Sequence, residues 1–373
     1  MGLGGVSVAS DYPEVSKDEL EKILNSLKNR FQNGDYPDYK ERIDRINRLK
    51  LLVEENSENF HKALQNDFGT RHEQLSLLSD TLPIIASAKH VSKNLSKWMK
   101  PEKRKPNFPL GLLGAKAFIH NQPYGVVGII SPWNFPLNLS LGPLVEVFAA
   151  GNNSMMKLSE FVPETSDLTE KLVKQYFKDD EVVVINGGPQ TSQSFAGLAF
   201  DHLLFTGSTH VAKKIAYEAS ENLVPLTLEL GGKSPVIVGP KAKMKKSVDK
   251  IMMGKLLNAG QICISPDYVF LPEGKENEFV EHAKSYVQES YETLKNNPDY
   301  TSIIHLNHYE RLRSYIADAK SKGAEIVEIN PANEDLAQQE HHKIPPTLIL
   351  NPTDDMEVMK NEIFGPILPV MSY

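Results

Sequence analysis

The sequence predicts an α/β fold in two domains, and three observations predict it. From residue 123 onward, short apolar runs alternate with amphipathic helical stretches, the pattern of parallel strands joined by helical crossovers. Glycine-bearing turns follow several runs, as in 205-FTGST-209 and 228-LELGGKSP-235. The chain has 373 residues, more than one ordinary domain needs.

The elements follow in order. Residues 1–100 supply a helical part. Ile43, Ile46, Leu49, Leu52 and Val53 recur at spacings of three and four, an apolar helical face. Gly69 sits where a helix closes. Residues 101–122 break the pattern with Pro106, Pro109, Gly111 and Gly114, then end in the strand-like 115-AKAFIHNQ-122. Over 123–231 the apolar runs are 125-GVVGIIS-131, 154-SMMKL-158, 182-VVVIN-186, 202-HLLFT-206 and 226-LTLEL-230. Between them, 165-TSDLTEKLVKQYF-177 reads as a helix capped by Thr165 or Ser166. Over 232–373 a second alternating region starts at 235-PVIVG-239, includes 346-PTLIL-350 and ends just after 367-ILPVM-371.

Composition excludes several function classes. Apolar residues make up 40% and charged residues 24%, ordinary for a globular chain. A net charge of -7 argues against a nucleic-acid surface, which needs a basic face. No apolar run is long enough to span a bilayer. The start, MGLGGVSVAS, lacks a basic n-region, and Val6 stands where a myristoylation motif needs Ser or Thr. One cysteine, Cys263, rules out an internal disulfide and a thiolate-rich zinc site. The 11 histidines form no metal pattern. No metal and a cytoplasmic location are the expectations.

Five strings carry candidate chemistry, and each has a plain structural reading too. In 205-FTGST-209, Gly207 permits close backbone approach and a helix start attracts phosphate; a simple turn has the same appearance. In 157-KLSE-160, a strand-end acid suits a ribose hydroxyl pair; a surface ion pair is the alternative. In 131-SPWNFP-136, two prolines fix Asn134, whose amide can donate to an oxyanion; Asn is equally a common turn former. Glu229 precedes a double glycine, and burial there would raise its pKa toward that of a general base; strand alternation equally lets it face solvent. Cys263 is either a buried hydrophobe or a nucleophile.

In order, PWNFP, K-x-S-E, FTGST, LELGGKSP, NAGQICISPDY and NEIFGP resemble the NAD(P)-dependent aldehyde dehydrogenase family, from about residue 40 to the last. The strings 97-KWMKP-101, 201-DHLLFTGST-209, CISPDYV and IFGPILPV resemble its coniferyl aldehyde branch, near the class 3 enzymes. The resemblance implies a Rossmann-type parallel-sheet cofactor domain and a second α/β catalytic domain, incomplete at the C-terminus. It implies NAD as cofactor, with NADP accepted. Cys263 matches the nucleophile, Glu229 the general base, and Asn134 the oxyanion donor beside the Cys263 backbone N–H. The implied cofactor-binding positions are Ser131, Pro132, Trp133, Lys157, Ser159, Glu160, Gly207, Ser208, Leu230, Glu362 and Phe364. Of these, Lys157 and Glu160 match the adenosine-ribose contacts, Gly207 and Ser208 the pyrophosphate turn, and Glu362 and Phe364 the nicotinamide end.

The substrate implied is a coniferyl-like aromatic or medium-chain aldehyde. Full-length relatives are implied to be homodimers. Leu158 and Ala212 stand where the family has proline and glycine. Family chains also continue beyond the IFGP string. From that difference come three expectations: an open strand edge near 115–122, a 367–371 strand lacking its packing, and reduced activity or solubility. A truncated remnant that at most binds nucleotide is the alternative to an active enzyme.

Overall fold

The computed structural model describes residues 12–34 and 36–373. The start MGLGGVSVAS lies outside the described residues. By compactness the chain divides into two units, one of residues 12–60 and 77–229 and one of residues 61–76 and 230–373.

The first unit opens with three helices, α1 (Lys17–Gln32), α2 (Tyr39–Glu55) and α3 (Ser57–Phe68); α3 belongs to this unit only through Phe60. Ser16 caps α1 by accepting from the Glu19 N–H at 3.3 Å, and Leu20, Leu24 and Leu27 form its buried stripe. On α2, Ile46, Leu49, Leu52 and Val53 are all fully buried, as their spacing predicts. Arg45 and Arg48 on the same helix hold Glu181 at 3.2 and 2.8 Å. Burial alone would raise the Glu181 carboxyl, but the Arg48 hydrogen bonds, with the Lys178 N–H and the Arg45 charge, bring it down to about 2. Gly69 follows α3 with φ +77°, the left-handed stop that glycine accepts without strain. The short α4 (Glu73–Ser76) belongs to the second unit, and α5 (Leu82–Trp98) returns to the first.

The 101–122 stretch forms a two-stranded antiparallel ribbon, β1 (Glu102–Arg104) with β2 (Ala117–Ile119). Its Phe118 and Ile119 are exposed. Then comes a five-stranded sheet of β3 (Val126–Ile130), β4 (Asn153–Lys157), β5 (Val182–Ile185), β6 (His202–Gly207) and β7 (Leu226–Leu230), in the order β5-β4-β3-β6-β7. The β3–β4, β4–β5 and β3–β6 pairs are parallel. Helices α6 (Leu141–Ala150), α7 (Pro163–Tyr176), α8 (Pro189–Ala196) and α9 (Thr209–Ser220) join them. This is the doubly wound order, and its switch point lies between β3 and β6. The expected cap at Thr165 or Ser166 is corrected: α7 starts at Pro163, with Val162 as N-cap. Proline's fixed φ favours the first helical position, so both hydroxyl residues lie buried inside the helix.

The second unit carries β8 (Pro235–Ile237), α10 (Met244–Leu256), β9 (Tyr268–Leu271), α11 (Glu276–Ser290), α12 (Leu306–Ser321), β10 (Glu325–Glu328), β11 (Thr347–Leu350), α13 (Glu357–Lys360) and β12 (Ile367–Ser372). Its sheet runs β10-β11-β12-β9-β8, parallel except for β10. One apolar layer joins α10 and α11 to the sheet through Val248, Ile251, Phe279 and Val287. Another joins α12 through Leu312, Tyr315 and Ala319. The expectation that 367–371 lacks packing is overturned. β12 lies between β11 and β9, and Ile367, Leu368 and Val370 are buried between the two layers.

Candidate active site

In the first unit, the carboxyl ends of β3, β4 and β6 bring together the expected cofactor residues of that unit. The Ser131 N–H donates to the Lys157 carbonyl at 3.1 Å, which extends the β3–β4 ladder past the strand. Ser131 is buried, and its hydroxyl has no hydrogen-bond partner among the described residues. Pro132 and Trp133 are half-buried and Asn134 is buried. Asp80, fully buried, accepts from the N–H groups of Leu137 and Asn138 at 3.2 and 3.3 Å and so fixes the turn beyond Asn134.

Lys157 is only 1% exposed. Its ammonium donates to the Leu158 carbonyl and lies 3.5 Å from Glu160 Oε2. Burial pushes the Lys157 ammonium below its ordinary pKa, while Glu160 pulls it back up. A surface ion pair is therefore not what this string forms. Ser159 is buried and accepts from the Phe161 N–H at 3.3 Å. The Ser166 hydroxyl donates to the Ser159 carbonyl at 3.0 Å, which ties the 158–160 turn to α7 even with Leu158 in place of proline. At the end of β6, a Cβ on Gly207 would lie 2.6 Å from the Phe205 ring. Ser208 caps α9 by accepting from the Val211 N–H at 3.4 Å.

The second unit holds the thiol. Cys263 is exposed, so the buried-hydrophobe reading fails. The loop before it is unusual: Asn258, Ala259 and Gly260 take φ values of +50°, +51° and +73° in succession. Left-handed backbone is costly for residues other than glycine, and it is held by buried groups. Gln261, fully buried, donates to the carbonyls of Asn258 and Ser302 at 3.0 Å each and accepts from the Ile304 N–H at 3.1 Å. Arg71, also buried, donates to Asn258 Oδ1 at 3.3 Å. Gly260 packs on Gly365, whose carbonyl would lie 2.3 Å from an added Cβ.

Glu362 and Phe364 lie in the same unit. One Glu362 oxygen is buried with no hydrogen-bond partner among the described residues. Burial raises the Glu362 carboxyl, opposed by a backbone hydrogen bond from Gly232. A Cβ on Gly231 would lie 1.9 Å from its Oε2, so the double glycine admits this carboxylate. Asp267 accepts from the Ile363 N–H at 3.0 Å. Lys233 pairs with Asp267 and donates to the carbonyls of Val358 and Asn361 at 3.0 Å each. Phe364 has φ +51°.

Of the two alternatives for Glu229, the structure shows the solvent-facing one. It is exposed, as are Thr227 and Leu228 before it, so the middle of the edge strand β7 is uncovered on both faces. Leu230, at the strand's end, is half-buried. His305 is the N-cap of α12 and accepts from the His308 N–H at 3.3 Å. Burial lowers His305 to about 4 and His308 to about 3. Among the described residues no group of histidine, cysteine or acidic side chains could hold a metal ion. No helix among them is long and apolar enough to cross a membrane.

Asp80, Arg71, Asn258, Gln261 and Lys233 were not singled out from the sequence. Only the last three had a signal, since they lie inside the NAGQ and GGKS strings.

A match to the aldehyde dehydrogenase family model runs over residues 6–373. The chain belongs to the aldehyde dehydrogenase family. It is 51% identical over 370 residues to a probable coniferyl aldehyde dehydrogenase of Caulobacter vibrioides, covering 99% of this chain and 76% of that one. It is 43% identical to the coniferyl aldehyde dehydrogenase of a Pseudomonas species, covering 100% of this chain and 75% of that one. The solved substrate-bound state of Staphylococcus aureus AldH superposes with a TM-score of 0.88 at 34% identity, covering 95% of this chain and 75% of the other. This aldehyde dehydrogenase is thus an NAD(P)-dependent oxidoreductase that converts aldehyde to acid, and the remnant alternative is not favoured.

Proposed function

We propose that this aldehyde dehydrogenase oxidises coniferyl-type aromatic aldehydes, with Cys263 as nucleophile, Asn134 as oxyanion donor and Glu229 as the base that activates water. The observation that carries the proposal is the exposed thiol on a loop fixed by the buried Gln261 amide, in a chain half identical to a probable coniferyl aldehyde dehydrogenase.

Each residue's part follows from its chemistry. The Cys263 sulfur, as thiolate, attacks the aldehyde carbon and leaves a thiohemiacetal oxyanion. Asn134 and the Cys263 backbone N–H donate to that oxygen, and one such donor is worth about 3 kcal/mol. NAD(P)⁺, when bound, supplies the two-electron acceptor that leaves a thioester on the sulfur. Glu229 takes a proton from water as it attacks the thioester, which releases the acid and restores the thiol. Water is the favoured acyl acceptor over coenzyme A because of Glu229.

The dinucleotide fits the residues present. Ser131 Oγ and Glu362 Oε1 are buried polar atoms unpartnered among the described residues, which is costly unless a ligand satisfies them. Lys157, Ser159 and Glu160 would hold the adenosine ribose, with Gly207 and Ser208 at the pyrophosphate. Pro132, Trp133 and Leu230 would line the cofactor, with Glu362 and Phe364 at the nicotinamide end. Glu160 favours NAD, because a 2′-phosphate would face its charge. A lone thiol that must stay reduced suits the cytoplasm. Formation of NADH from coniferyl aldehyde tests the reading: turnover in the wild type and none in Cys263→Ala is expected. Equal rates in the two would refute it.

A further inference from the structure

Resting on the reading of Lys157 and Glu160 as the ribose end of the cofactor site, we propose that Glu14 is a second carboxylate that selects NAD over NADP. The segment before α1 lies against the β5–α8 turn of the same unit. Glu14 Oε2 accepts from the Thr191 N–H and the Thr191 hydroxyl at 2.6 Å each, and Oε1 accepts from the Gln190 N–H at 3.2 Å. The Val15 N–H donates to Thr191 Oγ1 at 2.8 Å, and the Tyr12 hydroxyl donates to Asp167 at 2.7 Å. Glu14 thus occupies the start of α8, whose own N-cap, Gly188, has no side chain. The fit is close, since a Cβ on Gly188 would lie 2.5 Å from Glu14 Oε1.

The turn that Glu14 seals adjoins the ribose edge. Lys157 and Ile185 are the last partners of the β4–β5 ladder, and the Leu158 N–H donates to the Ile185 carbonyl at 3.3 Å. Gly188, against which Glu14 packs, lies three residues further on. Lys157 feels the charge of both Glu160 and Glu14. Burial opposes ionisation of Glu14, but the bonds from Thr191 and Gln190, aided by Lys157, hold its carboxyl below the usual range. A 2′-phosphate drawn to Lys157 therefore meets two carboxylates rather than one. It also finds the amides at the start of α8, the natural seat for a phosphate, already taken by the chain's own acid. A ribose hydroxyl pair carries no charge and meets neither obstacle.

The test compares kcat/KM for NADP with that for NAD. Glu14→Gln keeps an oxygen acceptor and removes the charge, and Glu14→Ser does so with a shorter side chain. Both should raise the NADP-to-NAD ratio about fivefold at low salt, less at high salt. Thr191→Val, which removes a cap partner but leaves the charge, should not raise it. An unchanged ratio in both Glu14 variants, or a rise in Thr191→Val equal to theirs, overturns the proposal. Lys157→Met separates the two levels. If it leaves KM for both dinucleotides unchanged, the ribose assignment itself fails. If it raises them while the Glu14 variants do nothing, only the role of Glu14 fails.

Discussion

Cys263 and Glu229 both present exposed side chains, yet the backbones that carry them are built in opposite ways. The Cys263 loop bends through three consecutive left-handed residues, and a fully buried glutamine and a buried arginine hold it there. Glu229 lies on the edge strand β7, where Thr227, Leu228 and Glu229 are exposed in succession. Strained backbone persists only where its surroundings over-determine it. The loop that carries the thiol is thus held by long-range hydrogen bonds, whereas the carboxylate stands on regular strand backbone.

Three substitutions put that contrast to the test. The largest effect belongs to Glu229→Gln: acyl-enzyme hydrolysis should slow by about 10³-fold, with the first burst of NADH retained in stopped-flow traces. Unchanged deacylation would remove Glu229 from the mechanism. Next is Gln261→Ala, which leaves the Ile304 N–H and the Ser302 carbonyl without their side-chain partner, while the Asn258 carbonyl keeps the residue 261 N–H. Acylation should fall by about 10²-fold through misplacement of the sulfur, and stability by about 2 kcal/mol, read from the burst amplitude and from urea unfolding. A burst of wild-type size would show that the loop holds itself. Smallest is Leu228→Ser on β7, where the side chain is 37% exposed. It should change stability by about 0.5 kcal/mol or less and leave the burst intact; a loss like that of Gln261→Ala would erase the contrast.

The fold was legible because parallel strands with helical crossovers print their pattern locally. The runs at 125–131, 182–186 and 202–206 became β3, β5 and β6, and the helical stripe of Leu49, Leu52 and Val53 became buried core. The site was legible as strings, since GQIC and IFGP are contiguous. What failed to show was whatever depends on partners far along the chain. Arg71 meets Asn258 across 187 positions and Gln261 meets Ser302 across 41, and no local pattern records either. Period-two alternation along β7 left Glu229 open to either side, and the strand's middle proved exposed on both. Pro163 outranked Thr165 and Ser166 as the start of α7 because a fixed φ acts earlier in the chain than a capping hydroxyl. The buried place of β12 was missed for a similar reason. Its neighbours, β9 and β11, come from 268–271 and 347–350, and adjacency in a sheet cannot be seen in a single strand.

The central claim is that the Cys263 sulfur carries the acyl group. Intact-mass and peptide analysis of Glu229→Gln protein, quenched after mixing with NAD⁺ and coniferyl aldehyde, tests it most directly. One acyl group per chain is expected, located on the peptide that contains Cys263. An unmodified Cys263 peptide in protein that has released its burst of NADH would contradict it.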